Sequence, residues 1–327
     1  MGGDRAPEEI VAGSLRAAEA LHCRILLVGD SRRIGTLVAR HPARGRIDVI
    51  DAGETVAMDE APAAALRRGT ATSMGKTIEL LRDQTADAAF SAGNSGALLA
   101  LATIRLRTVA GIARPAIATV WPARKGPLLL LDAGANVDCR PEWIAQFAIM
   151  GTAYAQGVLA IARPKVGLLS IGEEEKKGNA LTEAAFALLS RAPIRFVGNV
   201  EGRDLLLGDV DVVVCDGFVG NVALKVAEGA AEYLFSSMRA LAMASLRGKL
   251  GAAILRPMMG ALRAKMDYRE YGGAPLLGVR GVCLIGHGRT DALAVENACR
   301  TAARAIGQDV VGAIGGMVAE SVASPSL

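Results

Sequence analysis

Short apolar runs that end in turns of glycine, asparagine and aspartate, each followed by a helical pattern, recur along most of this chain. The sharpest lies at 212–221 (VVVCDGFVGN), and others lie at 88–97, 128–139, 166–179 and 196–204. Such alternation with short connections predicts βαβ units with right-handed crossovers and helices on both faces of a sheet. We therefore expect an α/β fold with a doubly wound, mostly parallel sheet, and a functional site at the carboxyl ends of its strands.

The composition fits a large folded unit. The chain has 327 residues, of which 51% are hydrophobic and 21% charged, so it can bury a sizeable core. We expect a single α/β unit over residues 1–327, with two interleaved lobes as the alternative. The formal net charge is only +4, and no run of arginine and lysine is interleaved with aromatic residues. These features argue against nucleic-acid binding.

Cysteine and histidine usage argues against disulfides and zinc. The five cysteines are widely scattered and mostly lie in apolar segments, which predicts reduced thiols in a cytoplasmic protein. Only three histidines occur, and none belongs to a metal-ligand motif. We therefore expect no metal and no cofactor, although carboxylates alone could hold magnesium. No stretch reaches the roughly eighteen uncharged apolar residues that a membrane-spanning helix needs.

The first four residues, MGGD, have the pattern of a strand-to-helix turn, yet no strand precedes them. Two interpretations are open: the chain starts upstream, or the protein manages without that strand. The N-terminus also has neither the positively charged region nor the apolar region of a signal peptide.

The segment 237–266 interrupts the alternation. It is rich in methionine and leucine at mostly helical spacing, and its only charges are basic. Because proline breaks or kinks a helix, Pro257 predicts two short helices rather than one. A basic amphipathic pair suits an anionic membrane surface or a partner's helix. It also suits a dimer interface, where methionine and arginine are common, so all three interpretations stay open.

The turn at 91–97 (SAGNSGA) places Asn94, Ser95 and Gly96 at the start of a helix. Backbone N–H groups at a helix N-terminus, with small polar side chains beside them, bind phosphate or stabilise an oxyanion. Asparagine and serine are also common N-caps, so capping is the alternative. The expected convergence of several such loops on one sheet edge favours binding.

The turn at 128–139 offers Asp132, Asn136 and Asp138 after an apolar strand. Two aspartates at a strand end could ligate a divalent cation, but Asp132 could equally cap the following turn, and we favour the cap. Asp132 and Asn136 are nevertheless kept as candidate binding residues.

Two further turns add charged and amide side chains. Lys177 and Asn179 follow three glutamates in a charge run of a kind that is usually solvated, although Lys176 or Lys177 could reach an anion at the sheet edge. The turn at 196–204 adds Asn199 and Glu201 as binding candidates.

The segment 212–225 combines the most features of an anion site. Gly217 and Gly220 permit close backbone approach, Asn221 lies near a helix N-terminus, Asp216 can accept a hydrogen bond, and Lys225 lies one helical turn beyond Asn221. Neither a Walker A loop nor a GxGxxG turn after a strand occurs, so the sequence does not indicate nucleotide binding.

His287 lies between two glycines at the end of a late apolar strand. An isolated histidine is often only a hydrogen-bonded structural residue. One on a glycine turn at a strand end is equally well placed to contact a substrate.

Taken in order, these blocks resemble the bacterial phosphate acyltransferase family, the acyl-[acyl carrier protein]:phosphate transacylases of phospholipid synthesis. The resemblance rests on AGNSGAL, LLDAGANVDC, IGEEEKKGN, FVGNVEGRD, CDGFVGNVALK, and DYREYGGAPLLGVRG followed by HG, and it extends over nearly the whole chain. It implies a fold akin to phosphate acetyltransferases and isopropylmalate dehydrogenases, a homodimer, and peripheral association with the cytoplasmic membrane. Arg5 stands where the family has a histidine, and Arg289, Thr290 and Asp291 replace small polar residues after His287.

The resemblance implies that inorganic phosphate attacks the thioester of a long-chain acyl carrier protein. The product, an acyl phosphate, would then serve a glycerol-3-phosphate acyltransferase. We expect phosphate at the turns around Asn94, Ser95, Gly217 and Asn221, with Lys177 or Lys225 offsetting its charge. His287 and Asn221 are candidate donors to the oxyanion or the leaving thiolate, and Asp216 is a candidate orienting group or base.

Two other functions stay open on the residues alone. A metal- and nicotinamide-dependent dehydrogenase of similar architecture would need a metal site and a cofactor site, and the sequence shows neither clearly. A non-catalytic scaffold that binds carrier proteins would use the basic segment 237–266 without any chemistry.

Overall fold

Strands and helices alternate along the chain as the turn pattern predicts. The computed structural model describes residues 1–265 and 268–323. The strands are β1 (Ile25–Gly29), β2 (Ile47–Asp51), β3 (Ala88–Ser91), β4 (Ala116–Ala123), β5 (Gly126–Leu131), β6 (Lys165–Leu169), β7 (Arg195–Val200), β8 (Val212–Val214), β9 (Ala274–Leu277) and β10 (Val282–Ile285). The helices are α1 (Glu8–Leu21), α2 (Ser31–Val38), α3 (Pro62–Arg68), α4 (Ser73–Arg82), α5 (Ser95–Leu106), α6 (Pro141–Gly157), α7 (Ala180–Leu189), α8 (Asp204–Leu207), α9 (Gly217–Met243), α10 (Leu246–Lys265), α11 (Ala292–Gly307) and α12 (Val310–Ala323). Short 3₁₀ turns lie at Pro42–Arg46, Gly69–Ala71 and Tyr268–Tyr271.

The main sheet has eight strands in the order β3-β10-β9-β4-β5-β8-β6-β7. β3 and β10 are parallel, and β5, β8, β6 and β7 are parallel. Between these two blocks, β9 and β4 pair antiparallel with their neighbours and with each other. The expected α/β fold with a mostly parallel sheet is confirmed, but the two parallel blocks run in opposite directions.

This reversal changes where the turns lie. The carboxyl ends of antiparallel strands point to opposite sides of a sheet, and by an edge we mean here the row of strand ends on one such side. The loops after β3 and β10 therefore lie at one edge, and the loops after β5, β6, β7 and β8 lie at the other. The expectation that all these turns gather at a single edge is wrong, because two antiparallel strands in the middle of the sheet reverse its direction.

The centre of the sheet is buried on both faces. In β5, Leu128 and Leu130 pack into one hydrophobic cluster, and Leu129 and Leu131 pack into another on the opposite face. All four are fully buried, as are the three valines of β8. Burying one such side chain contributes roughly 1.5–3 kcal/mol. The choice between one unit and two interleaved lobes stays a prediction.

A second sheet contains β1 and β2, which pair in parallel. β1 is hydrogen-bonded to β2. β3 is the outermost strand of the main sheet and is hydrogen-bonded to β10. α4 contacts both β1 and β3. α1 contacts β1, α11 contacts β3, and α1 and α11 pack together. These helices hold the small sheet beside the large one.

The helical pair predicted at 237–266 exists, but its boundaries differ. α9 runs without interruption from Gly217 to Met243, and the break falls at Ala244 and Ser245. Ser245 starts α10 because its Oγ accepts a hydrogen bond from the Gly248 N–H (3.0 Å). Pro257 lies inside α10 and does not split it, so the predicted break was wrong. Met266, the last residue of the predicted pair, lies outside the described residues.

The α9–α10 arm, as we call residues 217–265, begins at the 212–221 turn. At about 1.5 Å per residue, α9 is about 40 Å long, and among its residues only Gly217 and Gly220 are buried. Large apolar side chains are exposed along both helices, including Tyr233 (76%) and Leu246 (85%).

Candidate functional site

The predicted site residues fall into two corners at opposite sheet edges. The β5–β8 corner contains the loop 132–136, the start of α9 at 216–221, and the neighbouring loops 170–179 and 199–201. The β3–β10 corner contains residues 93–96 and 287–288, together with residues 2–4 and 57–60 that contact them.

A fully buried carboxylate organises the β5–β8 corner. Asp132 Oδ1 accepts hydrogen bonds from the backbone N–H groups of Ile117, Gly134 and Ala135 at 2.9–3.1 Å. Its Oδ2 accepts from the backbone and side-chain N–H groups of Asn136, at 2.7 and 2.8 Å. Burial raises the pKa of Asp132 above its usual range, although these hydrogen bonds act to lower it. With 0% exposure and both oxygens occupied, Asp132 shapes the loop rather than facing solvent.

The Asn136 side chain is also fixed by hydrogen bonds. Its side-chain N–H also donates to the carbonyl oxygen of Pro115 (2.8 Å). Its own carbonyl oxygen accepts from the Gly217 N–H (2.7 Å), which attaches the loop to the start of α9. The side chains of both candidate binding residues in this loop are therefore used by the fold.

Glycines allow α9 to approach this loop closely. A Cβ at Gly220 would lie 1.9 Å from the carbonyl oxygen of Asp132, and a Cβ at Gly217 would lie 2.7 Å from that of Asn136. Asp216 caps the helix, because its Oδ1 accepts from the Val219 N–H (2.9 Å). Asn221 is exposed and lies beside Gly134, which has a φ of +130°. The N-terminus of a 27-residue helix thus opens beside an exposed amide side chain.

Lys225 lies one turn beyond Asn221 on α9. Its Nζ pairs with Glu228 Oε2 at 2.7 Å, and both side chains are about half exposed. An ion pair of this kind contributes little to stability. The ammonium group of Lys225 can therefore move to another anion at small cost.

The loop between β6 and α7 brings further candidates to the same edge. Lys177 is exposed, and its carbonyl oxygen accepts a hydrogen bond from Ser170 Oγ (2.8 Å). Asn179 caps α7 in a reciprocal arrangement with Thr182. Asn199 Nδ2 donates to the carbonyl oxygen of Glu174 (2.8 Å), which holds this loop against β7.

Asn199 and Glu201 differ in the partners of their side-chain oxygens. Asn199 Oδ1 is buried and has no hydrogen-bond partner among the described residues. Such an acceptor is costly unless a donor reaches it. Glu201 Oε2 pairs with Arg203 Nε at 3.1 Å near the surface. Of these two candidates, Asn199 is the one whose side-chain oxygen could still accept a hydrogen bond from a ligand.

At the β3–β10 corner, Asn94 serves as the N-cap of α5. Its Oδ1 accepts from the Ala97 N–H (2.9 Å), and its Nδ2 lies 2.8–3.2 Å from the carbonyl oxygens of Ala57, Met58 and Glu60. These hydrogen bonds agree with the alternative interpretation, in which Asn94 caps the helix. Ser95 and Gly96 form the first turn of α5, and Ser95 is exposed.

His287 is exposed in the loop after β10. Its Nδ1 accepts a hydrogen bond from the Arg289 N–H (3.2 Å), which places the ring proton of the neutral form on Nε2. Gly288 accepts through its carbonyl oxygen from the Asp4 N–H (2.8 Å). The carboxylate of Asp4 thus lies in the same corner as His287.

Two arginines that the sequence analysis did not single out lie beside the β5–β8 corner. The guanidinium groups of Arg114 and Arg140 lie 5.2 and 5.8 Å from the ring centre of Trp143. Arg114 precedes Pro115, which accepts from Asn136, and Arg140 directly precedes α6. Both arginines directly precede a proline in the sequence. The same Arg-Pro pattern also occurs at 163–164 and 256–257, so it does not single these two arginines out.

None of the five cysteines has the environment of a nucleophile. Burial raises the pKa of Cys215 well above its usual value, and the neighbouring Asp216 and Asp132 charges raise it further. Burial is also the main cause that raises the pKa of Cys139, Cys283 and Cys299 to about 12. Cys23 is shifted in the same direction. Thiolates are therefore disfavoured at neutral pH.

Residues 1–265 and 268–323 contain no cluster of three or more histidine, cysteine, aspartate or glutamate side chains with a geometry suited to a metal ion. Within the same ranges, no helix combines the length and apolar character needed to cross a bilayer.

Solved structures resemble this fold. A phosphotransacetylase from Streptococcus pyogenes superposes with a TM-score of 0.61 at 18% identity, covering 92% of each chain. A branched-chain phosphotransacylase from Enterococcus faecalis gives a TM-score of 0.57 at 14% identity, covering 94% of this chain and 97% of the other. At these identities the likeness concerns the fold alone, and it supports the predicted phosphate acetyltransferase-like architecture.

Sequence relatives are much closer. A phosphate acyltransferase from Nostoc sp. is 48% identical over 314 residues, which is 95% of this chain and 92% of the relative. A phosphate acyltransferase from Pelotomaculum thermopropionicum is 50% identical over 306 residues, covering 94% and 90%. The family described as "Fatty acid synthesis protein" matches residues 1–312. The chain belongs to this fatty acid synthesis protein family, as the resemblance had indicated.

Proposed function

We propose that this protein is a phosphate acyltransferase that moves a fatty acyl group from a thioester to inorganic phosphate, for phospholipid synthesis. The observation that carries the proposal is the identity of about half of all residues, over nearly the whole chain, to relatives with that name. The phosphotransacetylase-like fold agrees with it. The donor proposed is a long-chain acyl carrier protein, and the acyl phosphate would go to a glycerol-3-phosphate acyltransferase.

In the proposed reaction, phosphate is the nucleophile. One of its oxygens forms a bond to the thioester carbonyl carbon, and the carbonyl oxygen becomes an oxyanion. The C–S bond then breaks, and the thiolate leaves and takes up a proton. Because phosphate is already an anion at neutral pH, the protein mainly has to place the two reactants and stabilise the developing charge.

Direct attack by phosphate agrees with the state of the cysteines. An acyl-enzyme route would need an accessible thiolate, and burial raises the pKa of the Cys215 thiol well above its usual value. Cys139, whose pKa is raised to about 12, is little better suited. The proposed mechanism therefore has no covalent enzyme intermediate.

We place phosphate at the β5–β8 corner. The N-terminus of α9 offers a favourable dipole, and Asn221 beside it can donate a hydrogen bond. Lys177 and Lys225 supply mobile positive charge at the same edge. At the β3–β10 corner the Asp4 carboxylate would oppose a phosphate bound beside Gly288. We therefore place phosphate at the first corner on the α9 N-terminus, the Asn221 amide and the two lysines.

The two corners then receive different proposed roles. Asn221 is the candidate donor to the oxyanion, because it lies on the same turn as the proposed phosphate. Asp216 keeps the helix cap and orients the first turn of α9. His287, with its proton on Nε2, lies at the opposite end of the strands and cannot reach the sulfur of a thioester attacked beside Asn221, because the attacking oxygen and the sulfur are bonded to the same carbon. Its candidate role as donor to the leaving thiolate therefore belongs to the alternative in which the reaction takes place at the β3–β10 corner.

We assign the α9–α10 arm to the acyl chain and to partners. Its exposed apolar side chains suit a fatty acyl chain, a lipid surface or a second subunit of a homodimer. Its basic residues suit an acidic carrier protein or anionic lipid headgroups. Peripheral membrane contact and dimerisation are parts of this proposal.

A thiol-release assay tests the proposal and its rivals together. Purified protein is mixed with a long-chain acyl carrier protein, with and without phosphate, and free thiol and acyl phosphate are measured. We expect equal amounts of both, rising with phosphate concentration, and the same release of thiol with arsenate. A scaffold releases no thiol, and a dehydrogenase instead reduces nicotinamide in the presence of a metal ion, so either outcome would refute the proposal.

A further inference from the structure

Two arginines beside the β5–β8 corner take no part in the proposed reaction. The guanidinium groups of Arg114 and Arg140 lie 5.2 and 5.8 Å from the ring centre of Trp143, within the range of a cation–π contact. Both arginines are exposed, whereas Trp143 is half-buried. Because the two cations contact the same ring, they lie near one another. We call Arg114 and Arg140 the arginine pair.

No acidic side chain neutralises the arginine pair. Neither guanidinium group forms an ion pair or a side-chain hydrogen bond within the part of the chain that the structure describes. Asp138 and Glu142 each lie two residues from Arg140 in the sequence, but neither pairs with it. Two like charges held near one ring repel each other, so an anion that contacts both is attracted by both. The arginine pair therefore suits an anionic ligand.

The backbone that carries the arginine pair is fixed. Gln146 of α6 accepts the Ala113 N–H through Oε1 and donates to the Gly111 carbonyl oxygen through Nε2, both at 2.9 Å. These bonds hold the loop before Arg114 against α6. Arg140 is extended, with a φ of −99°, and each arginine is followed by a proline with a restricted φ. A ligand therefore has to order only the two side chains, which lowers the cost of binding.

The arginine pair lies at the same edge of the sheet as the proposed phosphate site. β4 is antiparallel to β5, so the residues before β4 and those after β5 lie at one edge. Asn136 lies between the two sites. Its side-chain N–H donates to the carbonyl oxygen of Pro115 (2.8 Å), which follows Arg114, and its own carbonyl oxygen accepts from the start of α9 (2.7 Å). At about 5 Å for each contact between backbones, the two sites are roughly 10–15 Å apart.

The proposed donor carries an anionic group at a suitable distance from its thioester. A carrier protein presents its thiol on a phosphopantetheine arm, which a phosphodiester joins to the protein. The arm has roughly thirteen bonds from phosphorus to sulfur, so it spans about 15 Å when extended. A thioester placed beside the start of α9 therefore brings the phosphodiester within reach of the arginine pair. The planar guanidinium group matches the spacing of phosphate oxygens.

We propose that the arginine pair binds the phosphodiester of the thioester donor's phosphopantetheine arm. This inference rests on the proposed transfer of an acyl group to phosphate. The arginine pair holds the anionic end of the arm while the thioester lies beside the phosphate at Asn221. Trp143 is a positioning residue, because it contacts the two guanidinium groups and not the reacting atoms. Inorganic phosphate, the nucleophile, binds separately at the start of α9.

Calorimetry with two small probes tests this site without turnover. The probes, 4′-phosphopantetheine and pantetheine, differ only in the phosphate group. The wild type should bind the phosphorylated probe about tenfold more tightly, and a double variant with Arg114→Gln and Arg140→Gln should lose that preference. Equal affinity of the wild type for both probes would overturn the proposal, and so would a preference that persists in the double variant.

Arg163→Gln is the matched control for a lost surface charge. Arg163 is also exposed and also precedes a proline, but it lies before β6. Because β6 runs in the same direction as β5, the start of β6 is at the opposite edge of the sheet. This variant should keep the wild-type preference for the phosphorylated probe. A loss equal to that of the double variant would assign the effect to overall charge and overturn the proposal.

Turnover separates this site from the site of inorganic phosphate. With acyl-4′-phosphopantetheine as donor, the double variant should raise the KM for donor about tenfold and change kcat by less than about threefold. With acyl-pantetheine, the KM for donor and the KM for inorganic phosphate should stay unchanged. A higher KM for inorganic phosphate with acyl-pantetheine would assign the arginine pair to the nucleophile and overturn the proposal. A wild type that makes no acyl phosphate from either donor would instead refute the proposed function, and the calorimetry would still decide what the arginine pair binds.

Discussion

The β5–β8 and β3–β10 corners look alike in sequence and differ in construction. In each, a glycine turn with an asparagine leads from a buried strand into a helix. The β5–β8 corner is built around the fully buried Asp132 carboxylate, which accepts five hydrogen bonds from nearby N–H groups. The β3–β10 corner is built around a neutral amide, Asn94, whose Nδ2 lies within reach of three carbonyl oxygens.

This difference shows that the most prominent polar residues of a turn can serve to fix its conformation rather than to contact a ligand. The side chains of Asp132, Asn136 and Asn94 form local hydrogen bonds. Their neighbours Asn221, Lys177 and His287 are exposed. In both corners, buried polar residues fix the loop, and the exposed neighbours are the residues that we propose for ligand contact. The predictions below test whether the exposed residues have different roles in the two corners.

The largest effect is expected from Gly220→Ala. Its new Cβ would meet the Asp132 carbonyl oxygen at 1.9 Å, so α9 has to move away from the loop. We expect a loss of about 1–3 kcal/mol in unfolding free energy, or more, together with loss of transferase activity. Urea denaturation and the thiol-release assay measure the two effects.

Gly229→Ala is the matched control on the same helix. A Cβ there meets nothing within 4 Å, so alanine should stabilise α9 by up to about 1 kcal/mol and leave activity unchanged. If both variants behave alike, close packing of α9 on the loop is not what builds the β5–β8 corner.

The next effect is expected from charge at the helix start. Asn221→Asp places a carboxylate beside the proposed phosphate, whereas Asn221→Ala only removes a donor. We expect KM for phosphate to rise about tenfold more in the Asp variant, which corresponds to about 1.4 kcal/mol. Steady-state kinetics at varied phosphate and fixed thioester measure this difference. Equal values in both variants would move the anion away from Asn221.

A smaller effect concerns the β3–β10 corner. With the reaction placed at the β5–β8 corner, we expect His287→Gln to change kcat by less than about threefold, whereas a loss of about 100-fold, the range seen when a single transition-state donor is removed, would place the chemistry at the β3–β10 corner. Stability should stay unchanged, because the side chain is exposed. The control is His41→Gln, since His41 Nδ1 likewise accepts a backbone N–H two residues ahead (3.2 Å). An unchanged kcat in His287→Gln would leave this corner with a structural role only.

The smallest effect is expected from Cys215→Ala. Because burial keeps this thiol protonated, its removal should change kcat by less than about threefold, the residue having no place in the proposed chemistry. Mass spectrometry of the wild-type protein mixed with acyl thioester should find no acylated cysteine. Loss of activity in Cys215→Ala, together with a trapped acyl-enzyme in the wild type, would contradict direct attack by phosphate.

Much of the fold could be predicted from the sequence, because strand and helix periodicities are local signals. The apolar runs that begin the segments 128–139 and 212–221 correspond to β5 and β8. The reversal of the sheet could not be predicted in the same way. The antiparallel direction of β4 and β9 depends on pairings between residues far apart in the chain, such as Ala116 with Leu277.

The site was only partly predictable for the same reason. Gly217 and Gly220 were singled out for close approach, and the structure provides the contact partners, the carbonyl oxygens of Asn136 and Asp132. The split between the corners depends on strand direction and could not be seen. The break of the helical pair depends on Ser245 as a cap rather than on Pro257, which α10 accommodates.

The most direct test of the account is the affinity for phosphate of two variants, measured by calorimetry without thioester. If the β5–β8 corner holds phosphate, Lys177→Gln should weaken binding about tenfold, whereas His287→Gln at the other edge should bind as tightly as the wild type. Lys176→Gln is the control for a change of surface charge in the same loop. Unchanged affinity in Lys177→Gln, with lost affinity in His287→Gln, would place the phosphate at the β3–β10 corner and contradict the account.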